Sequence, residues 1–275
     1  MKMIDKPEIE AAYRQLGLSS QEYVLIHSSL LKTGIIKNDP VSNLPASFFN
    51  ILTNIMGDRA NVFMPTFDYS FPANRMVDLR SQPTCVGVWP EWFRTQPDVV
   101  RSAHPMFSYC GYGPKSVEIC RPDIAEFDSF SANSTMARLI ENDAMLLLHG
   151  TNIGVATIVV QCEAMLGVKY RFLKPFYGDV VLTNGQCVSG DYYHFCFPFN
   201  NEYRENYALL EERLLTTNKM AKTSLGVGNL YAVKLKALFG EIESLIAKDP
   251  FALLAQPPKN YYRFENGQEV ATPML

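Results

Sequence analysis

Runs of basic residues are missing from this chain, and its formal net charge is −3 with a pI near 5.9. Phosphate neutralisation needs clustered Lys and Arg, so a general nucleic-acid binder is excluded. No apolar run approaches the roughly 18 residues that a membrane span requires, and no membrane partner is expected. The six cysteines (Cys85, Cys110, Cys120, Cys162, Cys187 and Cys196) contain no C-x-x-C pair. They read as reduced structural thiols of a cytoplasmic protein. Residues 1–17 are charged and helical in pattern, unlike the charged-then-apolar order of a secretory leader. H-x-x-x-H and Cys/His clusters are absent, so no metal site is expected. No repeat, low-complexity tract or Gly/Ser linker divides the chain, which predicts one domain over 1–275.

The chain does have ample material for a core, at 47% hydrophobic and 12% aromatic. Its organising stretch is Val24-Leu25-Ile26-His27-Ser28-Ser29, an apolar strand that breaks into a polar turn. Two later stretches repeat that grammar: Val62-Phe63-Met64-Pro65-Thr66 and Met145-Leu146-Leu147-Leu148-His149-Gly150-Thr151. Open α/β sheets bind ligands at the carboxyl ends of their strands, so three such turns predict one shared cleft.

Periodicity predicts helices over 5–16, 44–56, 89–95, 134–140, 157–166, 203–215 and 231–247, the last halted by Asp249-Pro250. Strands are expected at 23–27, 62–64, 107–112, 144–148, 180–182 and 192–197, with Asn184-Gly185 as a hairpin turn. Residues 67–82 show neither period and read as a long ordered, functional loop.

Several motifs in series carry a family resemblance: His27-Ser28-Ser29-Leu30, Met64-Pro65-Thr66, Arg101-Ser102-Ala103-His104-Pro105, Leu146-Leu147-Leu148 followed by Thr157 and Glu163, and Val227-Gly228-Asn229-Leu230-Tyr231-Ala232. Together, over about residues 10–255, they resemble the aminoglycoside 3-N-acetyltransferases. That resemblance implies an α/β fold, a single-domain mixed-sheet sandwich of the family's type. It also implies acetyl-coenzyme A or another acyl-coenzyme A as co-substrate and a small-molecule amine as acceptor. Residues 256–275 lie beyond it as a carboxyl-terminal extension. This aromatic-rich tail is expected to pack along its own domain, the site or a partner subunit of a homodimer being the other surfaces it could cover.

The resemblance places Ser28 and Ser29 along the cofactor's pantetheine arm, and Thr84, Arg101 and Ser102 near its phosphates; His27, at the same strand end, is either a further cofactor contact or a core histidine bonded to backbone. Acylation of an amine needs a neutral nucleophile, a stabilised oxyanion and a route for the leaving thiolate. Relatives carry a histidine three residues before the glutamate that matches Glu163, but this chain has Val160 there. No histidine lies between Gly150 and Tyr193 to replace it. The candidate catalytic residues are therefore Glu163, His149 and His104. His149 either reaches the cleft from its strand end or bonds a loop carbonyl; His104 either serves as a base or locks the turn before Pro105. In a third reading no side-chain base is required and positioning alone drives the reaction.

The long loop sets Asp68 and Asp78 against Arg75 and Arg80, an electrical balance that gives a polycationic antibiotic no advantage. The expected acceptor is an amino sugar, possibly nucleotide-linked, with aminoglycosides as its nearest variant. A degenerate binder of coenzyme A or a sugar is the alternative. A serine hydrolase built on Ser28 or Ser29 is weakened by the lack of a G-x-S-x-G elbow.

Overall fold

The computed structural model describes residues 2–199 and 203–274. At its centre is a seven-stranded mixed sheet. The strand order is Met220–Leu225, Gly228–Lys234, Met145–His149, Tyr23–Ser28, Asn61–Pro65, Tyr109–Tyr112, Val99–Arg101. Tyr23–Ser28 runs parallel to both of its neighbours, whereas the outer pairs are antiparallel. The three central strands are thus the three whose sequences end in polar turns, and all three turns emerge at one sheet edge.

Both faces of these strands are covered, which explains their nearly unbroken apolar runs. Alternation sends Leu25, Phe63, Leu146 and Leu148 to one core, shared with the helices Thr135–Glu141, Ile158–Met165, Ala208–Thr216 and Leu235–Lys248. Val24, Ile26, Met64 and Leu147 enter the other core, beneath the helices Lys6–Gln15, Leu44–Met56 and Val88–Arg94. The first helix carries a reciprocal capping box between Asp5 and Glu8. Leu44–Met56 ends at Gly57, as its sequence predicts.

Several elements differ from the periodicity, among them the unpredicted strands Val99–Arg101 and Met220–Leu225. The 67–82 loop contains a short helix, Phe71–Asn74, and a strand, Met76–Asp78, that pairs parallel with Phe172–Val181. The buried Phe71 and the left-handed Arg75 (φ 57°) fold the chain back into that pairing. Residues 231–234 are strand rather than helix, because Tyr231, Ala232 and Val233 align with Leu148, Leu147 and Leu146; the last long helix starts at Leu235. The expected 203–215 helix starts at Ala208, and residues 201–202 lie outside the described residues. The predicted short strand pair is a ten-residue hairpin, Phe172–Val181 with Cys187–Cys196, turning through Asn184-Gly185. Residues Asn260–Glu265 and Gln268–Pro273 form a final hairpin, tied to the longer one by Lys174 and Glu269 at 2.7 Å.

Among the described residues no helix is long and apolar enough to cross a membrane, and no group of three or more His, Cys, Asp or Glu gathers to hold a metal.

Candidate active site

The three polar turns converge on a cleft of about 360 Å³. Its polar lining comes from His27, Ser28, Ser29, Lys32, Thr151 and Thr157, and its apolar wall includes Phe67, Val86 and Pro90. Close backbone packing fixes the central turn. The Ser29 N–H donates to the His149 carbonyl at 2.8 Å. Gly150 (φ +70°) lies so near that a Cβ would stand 2.6 Å from the Ser29 oxygen, and one on Gly226 would stand 1.8 Å from the Thr33 oxygen. The glycine-containing segment before the last helix therefore serves as a buttress for the Ser29–Gly34 turn.

Of the four histidines, His27 is the one that lines this cleft. Burial takes its imidazole down to about 4, partly opposed by the Val155 backbone, so the ring is neutral near pH 7. Its Nε2 has no hydrogen-bond partner. Ser28 and Ser29 are half-buried, and neither hydroxyl is engaged by another described residue. Lys32 stands exposed at the rim.

The other expected residues lie elsewhere. His149 sits level with Ser28 in the register, but its ring points to the opposite core. Phe48, Trp89 and Tyr13 surround it at centroid distances of 4.7, 5.2 and 5.9 Å. Both of its nitrogens lack partners, and burial lowers it to about 3. His104 accepts the Met106 and Phe107 N–H groups on Nδ1 at 3.1 and 3.0 Å. This bonding matches the turn-locking reading, and the ring is fully buried.

Arg101 and Ser102 are also interior. The five Arg101 donors end on the oxygens of Ser108, Leu79, Gln82 (backbone and side chain) and Thr66. The Ser102 hydroxyl accepts the Tyr109 N–H at 2.8 Å. Their placement makes them anchors of the long loop and of the adjoining strand: Arg101 has no donor left for a cofactor phosphate, and Ser102 is fully buried. Thr84 gives its hydroxyl to the Phe67 carbonyl at 2.7 Å and its N–H to Glu91, bracing the cleft wall.

Glu163 is fully buried on the Ile158–Met165 helix. It accepts the Tyr170 hydroxyl and the Arg171 Nε–H, each at 2.7 Å. Arg171 continues to Glu205 at 2.5 Å and lies 3.7 Å from the centroid of the Phe197 ring. Burial raises the Glu163 carboxyl, and the Arg171 charge opposes that rise. Where the resemblance puts an imidazole against this carboxylate, the chain has Val160 and a guanidinium grips the carboxylate instead. Sequence reasoning missed Tyr170 and Arg171, which reach Glu163 directly, and Glu205, which reaches it through Arg171, because no spacing signal marks these contacts. It also missed Glu211, which with Glu205 and Tyr207 lines a neighbouring depression of about 300 Å³. The 152–154 turn that lines this depression lies in the chain between Thr151 and Val155, which line the cleft.

A family model described as aminoglycoside 3-N-acetyltransferase matches residues 25–247. The chain belongs to that family. Its chemistry is accordingly acyl transfer from a coenzyme A thioester to an amine. Aminoglycoside N(3)-acetyltransferase IX of Micromonospora chalcea is 23% identical over 205 residues, covering 67% of this chain and 70% of that protein. Among solved structures, AAC-IIIb in a binary complex with CoASH has a TM-score of 0.76 at 16% identity, covering 93% of this chain and 100% of the other. A mutant of aminoglycoside acetyltransferase AAC(3)-IVa in complex with apramycin has a TM-score of 0.72 at 22% identity, covering 92% of this chain and 96% of the other. These likenesses establish the α/β fold with its large mixed sheet.

Proposed function

We propose that the protein acts as one acyltransferase domain that moves an acetyl group from acetyl-coenzyme A to the amine of a cationic amino sugar. The observation that carries this reading is the cleft at the three parallel strand ends, where a neutral imidazole stands beside two unengaged hydroxyls. The cofactor would supply an activated thioester carbonyl and a thiolate leaving group. Ser28 and Ser29 would flank its pantetheine arm, and Lys32 at the rim would meet the negative charge of its nucleotide end. His27, held neutral, would accept a hydrogen bond from the incoming amine and keep the amine's lone pair on the carbonyl. Glu163 acts in this scheme as a positioning residue, through Arg171 and the hairpin it anchors. His149 and His104 support the strand end and the turn.

On the acceptor side, Glu205 and Glu211 line their depression; Glu205 is paired with Arg171, whereas Glu211 has no ion-pair partner among the described residues. The Glu211 carboxylate there favours a positively charged amino sugar, aminoglycosides included, over a nucleotide-linked one. Val160 and the Arg171 grip on Glu163 support one other reading, a member that binds coenzyme A without turnover.

A thiol-release assay with acetyl-coenzyme A, run against aminoglycosides and nucleotide-linked amino sugars with cofactor binding followed by calorimetry, separates these. Turnover with the cationic panel is expected. Tight cofactor binding with no turnover on either panel would favour the binder, and turnover confined to nucleotide-linked sugars would overturn the acceptor assignment.

A further inference from the structure

A second cavity, of about 250 Å³, opens at the sheet edge formed by Val99–Arg101 and shares no lining residue with the cleft. Arg80, Arg94 and Arg101 line it together with Val99, Pro122 and Thr183, and no carboxylate belongs to that lining. We propose that this cavity is an oxyanion site for a phosphate-type group, separate from the acyl-transfer cleft.

Charge balance is the first argument. Arg101 is 5% exposed, and its five donors end on neutral oxygens. Its hydrogen bonds are satisfied, but its charge has no ion-pair partner among the described residues, and a buried charge without a counter-charge is costly. Carboxylates stand near Arg101 only as more distant influences, Asp68 and Glu91, while Arg94 repels it.

Donor geometry is the second. Arg80 holds Asp78 through Nε and Nη2, at 2.9 and 2.7 Å. Arg94 holds Glu91 through the same edge, at 2.7 and 2.5 Å. Each clamp leaves Nη1 without a partner among the described residues. The two carboxylates also fix both guanidiniums in place, so little side-chain freedom would be lost on binding. Two oriented donor edges around one unbalanced charge suit a tetrahedral oxyanion better than a lone monovalent ion.

A chain of bonds links a residue of this cavity to one of the cleft. Glu91, clamped by Arg94, accepts the Thr84 N–H, and Thr84 in turn bonds Phe67 of the cleft.

The test is calorimetric titration of inorganic phosphate into the whole chain at constant ionic strength, with sodium chloride as the control. Saturable binding at one site is expected. Arg80→Ala, an exposed position that should fold normally, is expected to weaken binding roughly tenfold. Arg80→Glu should abolish it, and Arg94→Lys should weaken it comparably while keeping the charge. Absence of saturable binding, or equal affinity in the wild-type chain and all three variants, would overturn the proposal. A further arm repeats the titration with the protein saturated by coenzyme A or by dephospho-coenzyme A. Unchanged phosphate affinity in both supports a separate site. Competition by coenzyme A but not by its dephospho form would mean that the cavity takes the cofactor's own 3′-phosphate, which overturns the separateness.

Discussion

His27 and His149 end neighbouring strands, one residue apart in register, yet their surroundings have almost nothing in common. His27 faces a cleft lined by hydroxyls and a lysine; His149 faces Phe48, Trp89 and Tyr13 in a sealed aromatic cage. Chemical type and sequence context are alike, and the difference comes from the period of two along a strand. Odd and even positions go to opposite faces, so a single residue of offset decides whether an imidazole meets substrate or core.

The two environments share one property, neutrality, and its loss should give the largest effect. Burial holds His27 and His194 near 4 and His104 and His149 near 3, all below the unfolded value of about 6.5. The unfolded chain therefore binds more protons than the folded one between those values. The histidines' contribution is fully present above pH 6.5 and is lost as pH falls toward 4 and then 3. The upper bound is ~3 kcal/mol each for His27 and His194 and ~5 kcal/mol each for His104 and His149, so urea titrations should show a steep fall in stability below pH 6. Glu126 and Glu163, whose carboxyls burial raises, act in the opposite sense and reduce the slope. A flat profile between pH 7 and 4 would mean that the histidines are not held neutral.

Next in size, His149→Ala should cost about 2–4 kcal/mol by leaving a cavity in the cage. Its turnover per folded molecule should stay near wild type, read by the thiol-release assay on protein quantified by active folded fraction. His27→Ala should invert that pattern, with turnover down roughly 10²-fold and little change in the urea midpoint. If the two variants exchanged phenotypes, the assignment of faces would be reversed. Ser29→Ala should have a smaller effect, raising the KM for acetyl-coenzyme A by roughly tenfold or less with kcat nearly unchanged. The smallest effect belongs to Val160→His, expected to alter turnover by no more than about twofold, because Arg171 already occupies Glu163. Strong activation in that variant would show that the Arg171 grip yields readily to an imidazole.

Much of the frame was legible without coordinates because local signals agreed with the fold. The apolar runs 24–26, 62–64 and 145–148, each followed by a polar turn, predicted three strand ends at one cleft, and that is where they meet. Asn184-Gly185 marked its hairpin, and Gly57 its helix end. Errors arose where a segment satisfied both periods. Tyr231-Ala232-Val233 continues a helical pattern, but pairing with Leu148, Leu147 and Leu146 draws it into the sheet. In the long loop, burial of Phe71 outweighed weak local preference.

The sequence by itself determined the family, the α/β class, the three strand ends and the absence of a histidine at Val160, since each rests on residue order or apolar period. Only the tertiary structure decided which histidine reaches the cleft, that Arg101 is consumed by the long loop, and that Arg171 holds Glu163. Those outcomes depend on contacts between residues 8 to 121 positions apart, such as Glu163 with Arg171 and His27 with Leu148, and side-chain direction in such contacts follows from packing that no local pattern encodes.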